Sequence, residues 1–205
     1  MRTERLRSSL GDPDVWSEFY ESSPTTTEWF VAYDDLRESF RSILRDLDQS
    51  SLTALDVGCG RSGLGPSLAE DFPNLDVYCL DVSLACLKHL AERHSHAACT
   101  YVVGDARLRV PFGDGAVDLI VDKGTSDAVC RHRDGQEQLD MMLKEVSRVM
   151  SDRGALVQVS TEVPDVRFDE LKCAFEDCLV SFREIESGAG QHMLPVYLYT
   201  VKRRQ

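Results

Sequence analysis

The chain has no apolar run near the ~18–20 residues that a bilayer-crossing helix requires, which excludes a helical membrane span. It also has no CxxC pair. Its seven cysteines (Cys59, Cys79, Cys86, Cys99, Cys130, Cys173 and Cys178) are scattered and odd in number, which speaks against a disulfide framework or a zinc ribbon. They read as small buried hydrophobes in a reducing compartment. Positive charge is scarce: 23 Lys and Arg against 35 Asp and Glu leave a net charge of −12. A general nucleic-acid binder would present a basic face, so that class is disfavoured, while a basic protein or a cationic small molecule is a compatible partner. Acidity of this size also simply keeps a protein soluble. His94 and His96 have no second cluster of metal-ligating residues beside them and read as a solvated helix end, not a metal site. No internal repeat, low-complexity tract or linker interrupts the 205 residues, which predicts one domain over 1–205.

What is present is concentrated in Leu55-Asp56-Val57-Gly58-Cys59-Gly60-Arg61-Ser62-Gly63. An apolar strand-like run ends in an acidic residue, and a glycine-rich turn then opens a helix. Gly58 and Gly60 let the backbone turn sharply and approach a ligand, because neither carries a Cβ. A second strand-like run ends in Asp81, twenty-one residues after Gly60, where a βαβ nucleotide fold places the carboxylate that holds ribose hydroxyls. Strand, turn, helix and distant acid in register point to a nucleoside cofactor, either NAD or S-adenosylmethionine. Three features favour the methyl donor. Asp56 would gain little beside a pyrophosphate but suits an ammonium and a sulfonium. Asp105, in Gly104-Asp105-Ala106 after a third strand-like run, can accept from an adenine amine. The C-terminus holds two alternating runs, 179–186 and 193–202, joined by Gly188-Ala189-Gly190, which predicts an antiparallel hairpin and not a second mononucleotide-binding half.

Hydrophobic spacing predicts helices over 12–22 and 28–48, the second carrying Trp29, Phe30, Tyr33, Leu36, Phe40, Ile43, Leu44 and Leu47. A strand over 52–57 leads to a helix from Gly63 whose early Pro66 is tolerated in the first turn. Ser83 caps a helix with Leu84, Leu87, Leu90 and Ala91 on one face. Strands over 117–122 and 155–160 flank a helix over 135–150, and the turn Asp152-Arg153-Gly154 precedes the latter strand. Strands alternating with crossover helices predict an α/β fold, a parallel sheet covered on both faces.

The acceptor chemistry is sought in Asp122-Lys123-Gly124-Thr125-Ser126-Asp127-Ala128, at the carboxyl edge of the fourth strand where open α/β sheets bind ligands. Its polar groups would crowd beside the donor methyl, or Thr125 or Asp127 would merely cap the next helix. No Asn-Pro-Pro-Tyr or Asp-Pro-Pro-Tyr follows this strand, which disfavours the amide, adenine and glutamine N-methyltransferases that carry such a motif.

The Asp-Lys-Gly-Thr-x-Asp-Ala loop, with Gly58-Cys59-Gly60 upstream, resembles the seven-strand S-adenosylmethionine-dependent protein-lysine methyltransferases over nearly the whole chain. That family includes enzymes acting on elongation factor 1A and on mitochondrial citrate synthase. Leu55 to Gly60 and Ser160-Thr161-Glu162-Val163-Pro164-Asp165-Val166-Arg167 lean toward the citrate synthase branch, whereas Leu194-Pro195-Val196 is more similar to one elongation-factor enzyme. The resemblance implies a Rossmann-like, seven-stranded class I methyltransferase sheet with a C-terminal antiparallel hairpin. An N-terminal segment over about 1–50 would cover the cofactor and a core over about 51–205 would bind it. It implies cofactor contacts from Trp16, Tyr20, Trp29, Gly58, Gly60, Asp81, Val82, Asp105, Ala106 and Lys123. Here Asp81 would hold the ribose, Asp105 the adenine amine, and the aromatic rings the cationic methionyl end. On residues alone, ordinary core packing of an N-terminal helix is the preferred reading of Trp16, Tyr20 and Trp29. Asp122 and Asp127 are the candidates for orienting the incoming amine or accepting its proton, with loop-holding and helix-capping as their alternative role. Lys123 would hydrogen-bond the donor's carboxylate or organise the loop.

The expected partner is a protein substrate, citrate synthase or else elongation factor 1A, with no nucleic acid and no membrane. A small-molecule methyltransferase on the same fold, or a non-catalytic S-adenosylmethionine-binding protein, are the alternatives. The Arg- and Ser-rich residues 1–10 are compatible with the remnant of a mitochondrial presequence, and the citrate synthase resemblance tilts the expected location to mitochondria over cytoplasm.

Overall fold

A computed structural model describes residues 10–22, 28–47, 51–185 and 194–204. The elements in chain order are α1 (Pro13–Ser22), α2 (Tyr33–Leu47), β1 (Leu52–Val57), α3 (Leu64–Asp71), β2 (Leu75–Asp81), α4 (Leu84–Arg93) and β3 (Cys99–Val103). There follow β4 (Val117–Lys123), α5 (Thr125–Val129), α6 (Gly135–Val149), β5 (Met150–Ser160), α7 (Pro164–Ala174), β6 (Cys178–Ile185) and β7 (Val196–Arg203).

The seven strands form one sheet in the order β3-β2-β1-β4-β5-β7-β6. The first five are parallel, and β7 runs antiparallel between β5 and β6. The expected α/β class, Rossmann-like sheet and closing antiparallel pair are therefore present. Strand order reverses between β1 and β4, the switch point at which an open parallel sheet leaves a crevice beyond its carboxyl ends.

Two apolar layers sandwich the sheet. On one side Leu36, Phe40 and Ile43 of α2, Leu64 and Leu68 of α3, and Leu87 and Leu90 of α4 pack onto β1 and β2. On the other, Leu139, Met142, Leu143 and Val146 of α6 and Leu171 of α7 pack with Leu55, Ile120 and Leu156. Because both faces are covered, the central strands are nearly continuously apolar.

Several boundaries differ from the sequence expectation for identifiable reasons. Helix α2 starts at Tyr33 and not at residue 28, because Phe30 adopts φ +64° and breaks the helical register. The Asp35 carboxylate accepts from Ala32 N at 3.0 Å, closing the helix entrance. Strand β5 runs back to Met150. Its pairing with β4 jumps from Val117–Met150 to Leu119–Ala155, so the expected turn at 152–154 is looped out within the strand. Leu84 is 53% exposed instead of facing the core, since α4 turns Cys86, Leu87 and Leu90 inward. The glycine turn at 188–190 and Met193 lie outside the described residues.

Ser83 caps α4 as the sequence suggests, its hydroxyl accepting from Cys86 N at 3.3 Å. Ser83 is fully buried, so its loss leaves an unmet donor. Ser83→Ala is expected to cost about 1 kcal/mol of unfolding free energy in a urea titration, with an unchanged slope.

Candidate active site

The glycine turn after β1 is built around one carboxylate. Asp81, at the end of β2, accepts from Gly60 N at 2.9 Å through one oxygen and from Ser83 N at 2.9 Å through the other. These two bonds join the β1 turn to the start of α4. Gly58 and Gly60 sit at φ +62° and +56°, where an L side chain is strained. A Cβ on Gly60 would stand 2.7 Å from Tyr20 Oη, and one on Gly58 would collide with the Thr125 side chain. Burial raises the pKa of Asp81, partly offset by its backbone donors.

Strand β4 delivers the second half of the crevice. Asp122 accepts from Thr125 N at 2.9 Å, Ser126 N at 3.2 Å and Gln158 Nε2 at 2.9 Å, and also from the Ser126 hydroxyl. It is buried beneath α5 and does not line the crevice, so the expectation that it meets the substrate amine is not supported by its position. Its physical task is to hold the first turn of α5, with burial raising its pKa. Gly124, at φ +85°, permits the turn into α5 and leaves room for the Phe30 ring 2.8 Å from where a Cβ would be. Asp127 does line the crevice. Its Oδ1 accepts from Ser160 Oγ (3.0 Å), Thr161 N (3.1 Å) and Thr161 Oγ1 (3.1 Å), and its Oδ2 lies 4.0 Å from the fully buried Arg167 guanidinium.

The segment ahead of the sheet roofs the crevice with aromatic rings. Trp16 stacks on Tyr20 at 5.9 Å between centroids and meets Trp29 edge-on at 5.7 Å. Three polar side chains, Arg61, Lys123 and Glu28, secure this roof. The Arg61 guanidinium donates to the Tyr20 carbonyl and lies over the Tyr20 ring at 5.2 Å. Lys123, with 4% of its side chain exposed, donates to Glu28 Oε2 and to the Trp29 carbonyl, both at 3.0 Å. Glu28 in turn accepts from Ser62 Oγ and from Gly63 N, each at 2.9 Å. At the other rim Arg107 forks onto both oxygens of Asp105 and reaches the Gly11 carbonyl at 3.1 Å. Those bonds outweigh burial and hold the Asp105 pKa below its usual value.

Trp16, Tyr20, Trp29, Gly58, Gly60, Asp81, Val82, Asp105, Ala106 and Lys123 thus all face one crevice, together with Asp127; Asp122 alone does not. Glu28, Arg61 and Arg107 were not among the site residues expected from the sequence, whereas Phe30 was expected within a helix and instead packs over Gly124. Glu28 and Arg61 find partners 35 and 41 residues away, and Arg107 reaches Gly11, 96 residues away; the local signals were Arg61's place in the glycine turn and Arg107's place two residues after Asp105.

The Methyltransferase domain family matches residues 54–154. The citrate synthase-lysine N-methyltransferase, mitochondrial, of Homo sapiens is 30% identical over 203 residues, covering 89% of this chain and 84% of its own. Its Danio rerio counterpart is 30% identical over 173 residues, 75% of this chain and 68% of its own. The chain belongs to the seven-strand S-adenosylmethionine-dependent protein-lysine methyltransferases. A further relative, the eEF1A lysine and N-terminal methyltransferase of Mus musculus, is 28% identical over 156 residues, 74% of this chain and 22% of its own. Among solved structures, a SAM-dependent methyltransferase from Leishmania major superposes with a TM-score of 0.69 at 15% identity, covering 98% of this chain and 91% of that one, which speaks to the fold alone.

The methyltransferase's crevice fits its cofactor on independent grounds. Asp56 lines it, and its buried Oδ2 has no hydrogen-bond partner among the described residues, so the carboxylate keeps an unmet acceptor that a cationic donor such as an ammonium suits. Burial, then neighbouring Cys79, pushes the Asp56 pKa well up, with Lys123 opposing. A cationic ligand prefers the ionised form, so affinity must rise with pH as Asp56 loses its proton. Calorimetry should find S-adenosylmethionine binding tightening as pH rises, with proton release, and Asp56→Asn roughly tenfold weaker at high pH but near wild type at low pH. Equal pH profiles for the two proteins would remove Asp56 from the cofactor.

Proposed function

We propose that this methyltransferase modifies a lysine of citrate synthase in mitochondria. The extent of the similarity supports this reading: the match to the human citrate synthase enzyme takes in 89% of this chain at 30% identity, against 74% of it at 28% for the mouse eEF1A enzyme. In the proposed site Gly58 and Gly60 carry the backbone around the cofactor, and Asp81 offers its remaining lone pairs to the ribose. Val82 and Ala106 flank the base, and Asp105 accepts from the adenine amine in competition with Arg107. Trp16, Tyr20 and Trp29 present ring faces to the cationic end, while Lys123 holds the roof through Glu28 and Trp29.

Bound, the cofactor would supply a sulfonium-borne methyl group; a neutral lysine amine would take the methyl carbon as the C–S bond breaks, with the neutral thioether S-adenosylhomocysteine as the leaving group. Free lysine has a pKa of about 10.4, so the incoming side chain must shed a proton and water before it reacts. Asp127 is the one acidic candidate of β4–α5 that faces the crevice, and in this proposal it steers the approaching side chain. Its Oδ1 already serves three donors, while its Oδ2 has no hydrogen-bond partner among the described residues and lies 4.0 Å from the Arg167 guanidinium. The aromatic roof keeps water away, and alignment of the amine supplies much of the rate. Asp122 has no substrate role here.

Asp127→Asn should lower kcat by about 10²-fold while the Kd for the cofactor changes less than about threefold. A matching loss of cofactor affinity would instead assign Asp127 to folding of the rim. The substrate is tested by radiolabelled methyl transfer onto purified citrate synthase and elongation factor 1A side by side, each also with its target lysine changed to Arg. Label on citrate synthase that vanishes with Lys→Arg is the expected result. Label on elongation factor 1A would move the enzyme to the cytoplasm, the reading that its 28%-identical relative favours. Label on free amines alone would favour a small-molecule acceptor.

A further inference from the structure

Outside the cofactor crevice, the fold gathers three metal-ligating side chains. His94 closes the C-terminus of α4, its backbone N–H donating to Leu90 O at 3.0 Å. A tight turn follows, with Ala97 N donating to His94 O at 3.0 Å, and it brings His96 back beside His94 with ring centroids 6.1 Å apart. Glu70, in the last turn of α3, completes the group, its Oε1 lying 2.8 Å from His96 Nε2. One donor atom from each of the three falls within 4.8 Å of the others. The sequence shows only the His-x-His pair; the third donor comes from a helix that precedes it by a whole βα unit.

We propose that Glu70, His94 and His96 form a binding site for a zinc-class divalent transition metal that pins the α4–β3 turn to the end of α3. Two imidazoles and one carboxylate are the donor set that Zn²⁺ takes, with water completing the shell, whereas Mg²⁺ and Ca²⁺ demand mostly oxygen. With bonds of about 2.0–2.2 Å, tetrahedral donors stand roughly 3.3 Å apart, so the group must close by at most about 1.5 Å. Glu70 and His96 are free to make that movement, since their side chains are 48% and 67% exposed. His94 is the fixed member. Its ring is half-buried against Gly63, 3.6 Å from where a Cβ would stand, and it makes no hydrogen bond among the described residues.

The competing ligands are the free thiols, of which Cys173 is exposed and Cys99 and Cys130 partly so. The test therefore titrates chelator-treated full-length protein with Zn²⁺ by calorimetry and with Co²⁺ by absorption, in wild type, His94→Ala/His96→Ala, Glu70→Gln and Cys99→Ser/Cys130→Ser/Cys173→Ser. One Zn²⁺ per chain at micromolar Kd is expected, with a Co²⁺ spectrum free of thiolate charge transfer. The double-His variant should bind at least tenfold more weakly and Glu70→Gln several-fold more weakly, while the triple-Cys variant matches wild type. Unchanged S-adenosylmethionine binding by the His variant checks that it folds. Absence of saturable Zn²⁺ binding, binding that survives loss of both histidines, or a thiolate band from the bound Co²⁺ would each overturn the proposal.

Discussion

The site depends on the two bonds made by Asp81. A glycine turn at positive φ is flexible by nature, and it becomes a binding surface only when something holds it in one shape. Asp81 does so by drawing Gly60 N–H to one oxygen and Ser83 N–H to the other, so that the β1 turn and the α4 entrance become one rigid rim. Bonds from backbone amides to a buried carboxylate are among the stronger hydrogen bonds in a protein, because one partner is charged and water is excluded. They also leave lone pairs directed at the crevice. The same group thus shapes the site and, in the proposed function, faces the ribose.

A second constraint is the attachment of the roof. Helix α1 packs on α4 with Tyr20 buried, and polar bonds fix the segment over the crevice: Arg61 to the Tyr20 carbonyl, Lys123 to Glu28 and Trp29, Arg107 to Gly11. The ion pair among these, Lys123 with Glu28, contributes little net stability once desolvation is counted, but with the carbonyl bonds it ties the segment to one position. Lys123 is the clearest case. A cation next to a sulfonium would be repulsive in isolation, yet with Glu28 and the Trp29 carbonyl as partners its charge is neutralised before the cofactor arrives.

Local patterns in the chain announced most of the framework. The Gly58–Gly60 turn, the distance to Asp81, the Ser83 cap and the alternation of strands and helices each rest on short-range chemistry, and each lies where that chemistry puts it. What local patterns could not reveal was pairing across the fold. Apolar spacing carries the helix signal back through Trp29 and Phe30, but the chain leaves helical geometry there because Phe30 must fill the space above Gly124 and the Trp29 carbonyl must reach Lys123. Asp122 and Asp127 look equivalent in sequence. A strand end alternates faces, so β4 drives Asp122 down under α5 while the first turn of α5 lifts Asp127 to the rim. Arg167, fully buried with Glu170 at 2.8 Å, is the kind of residue that sequence places on the surface and only tertiary packing explains.

The central claim is that Asp81 holds the glycine turn and the cofactor at once. It is tested most directly by calorimetric titration of S-adenosylmethionine into wild type and Asp81→Asn, with circular dichroism to confirm that the variant is folded. Replacing one acceptor oxygen by a donor removes a charge-assisted bond to the turn and weakens those left for the ribose, together worth about 3 kcal/mol. The account predicts a loss of about 100-fold in affinity with the fold intact. A folded Asp81→Asn protein that binds within about threefold of wild type would contradict it.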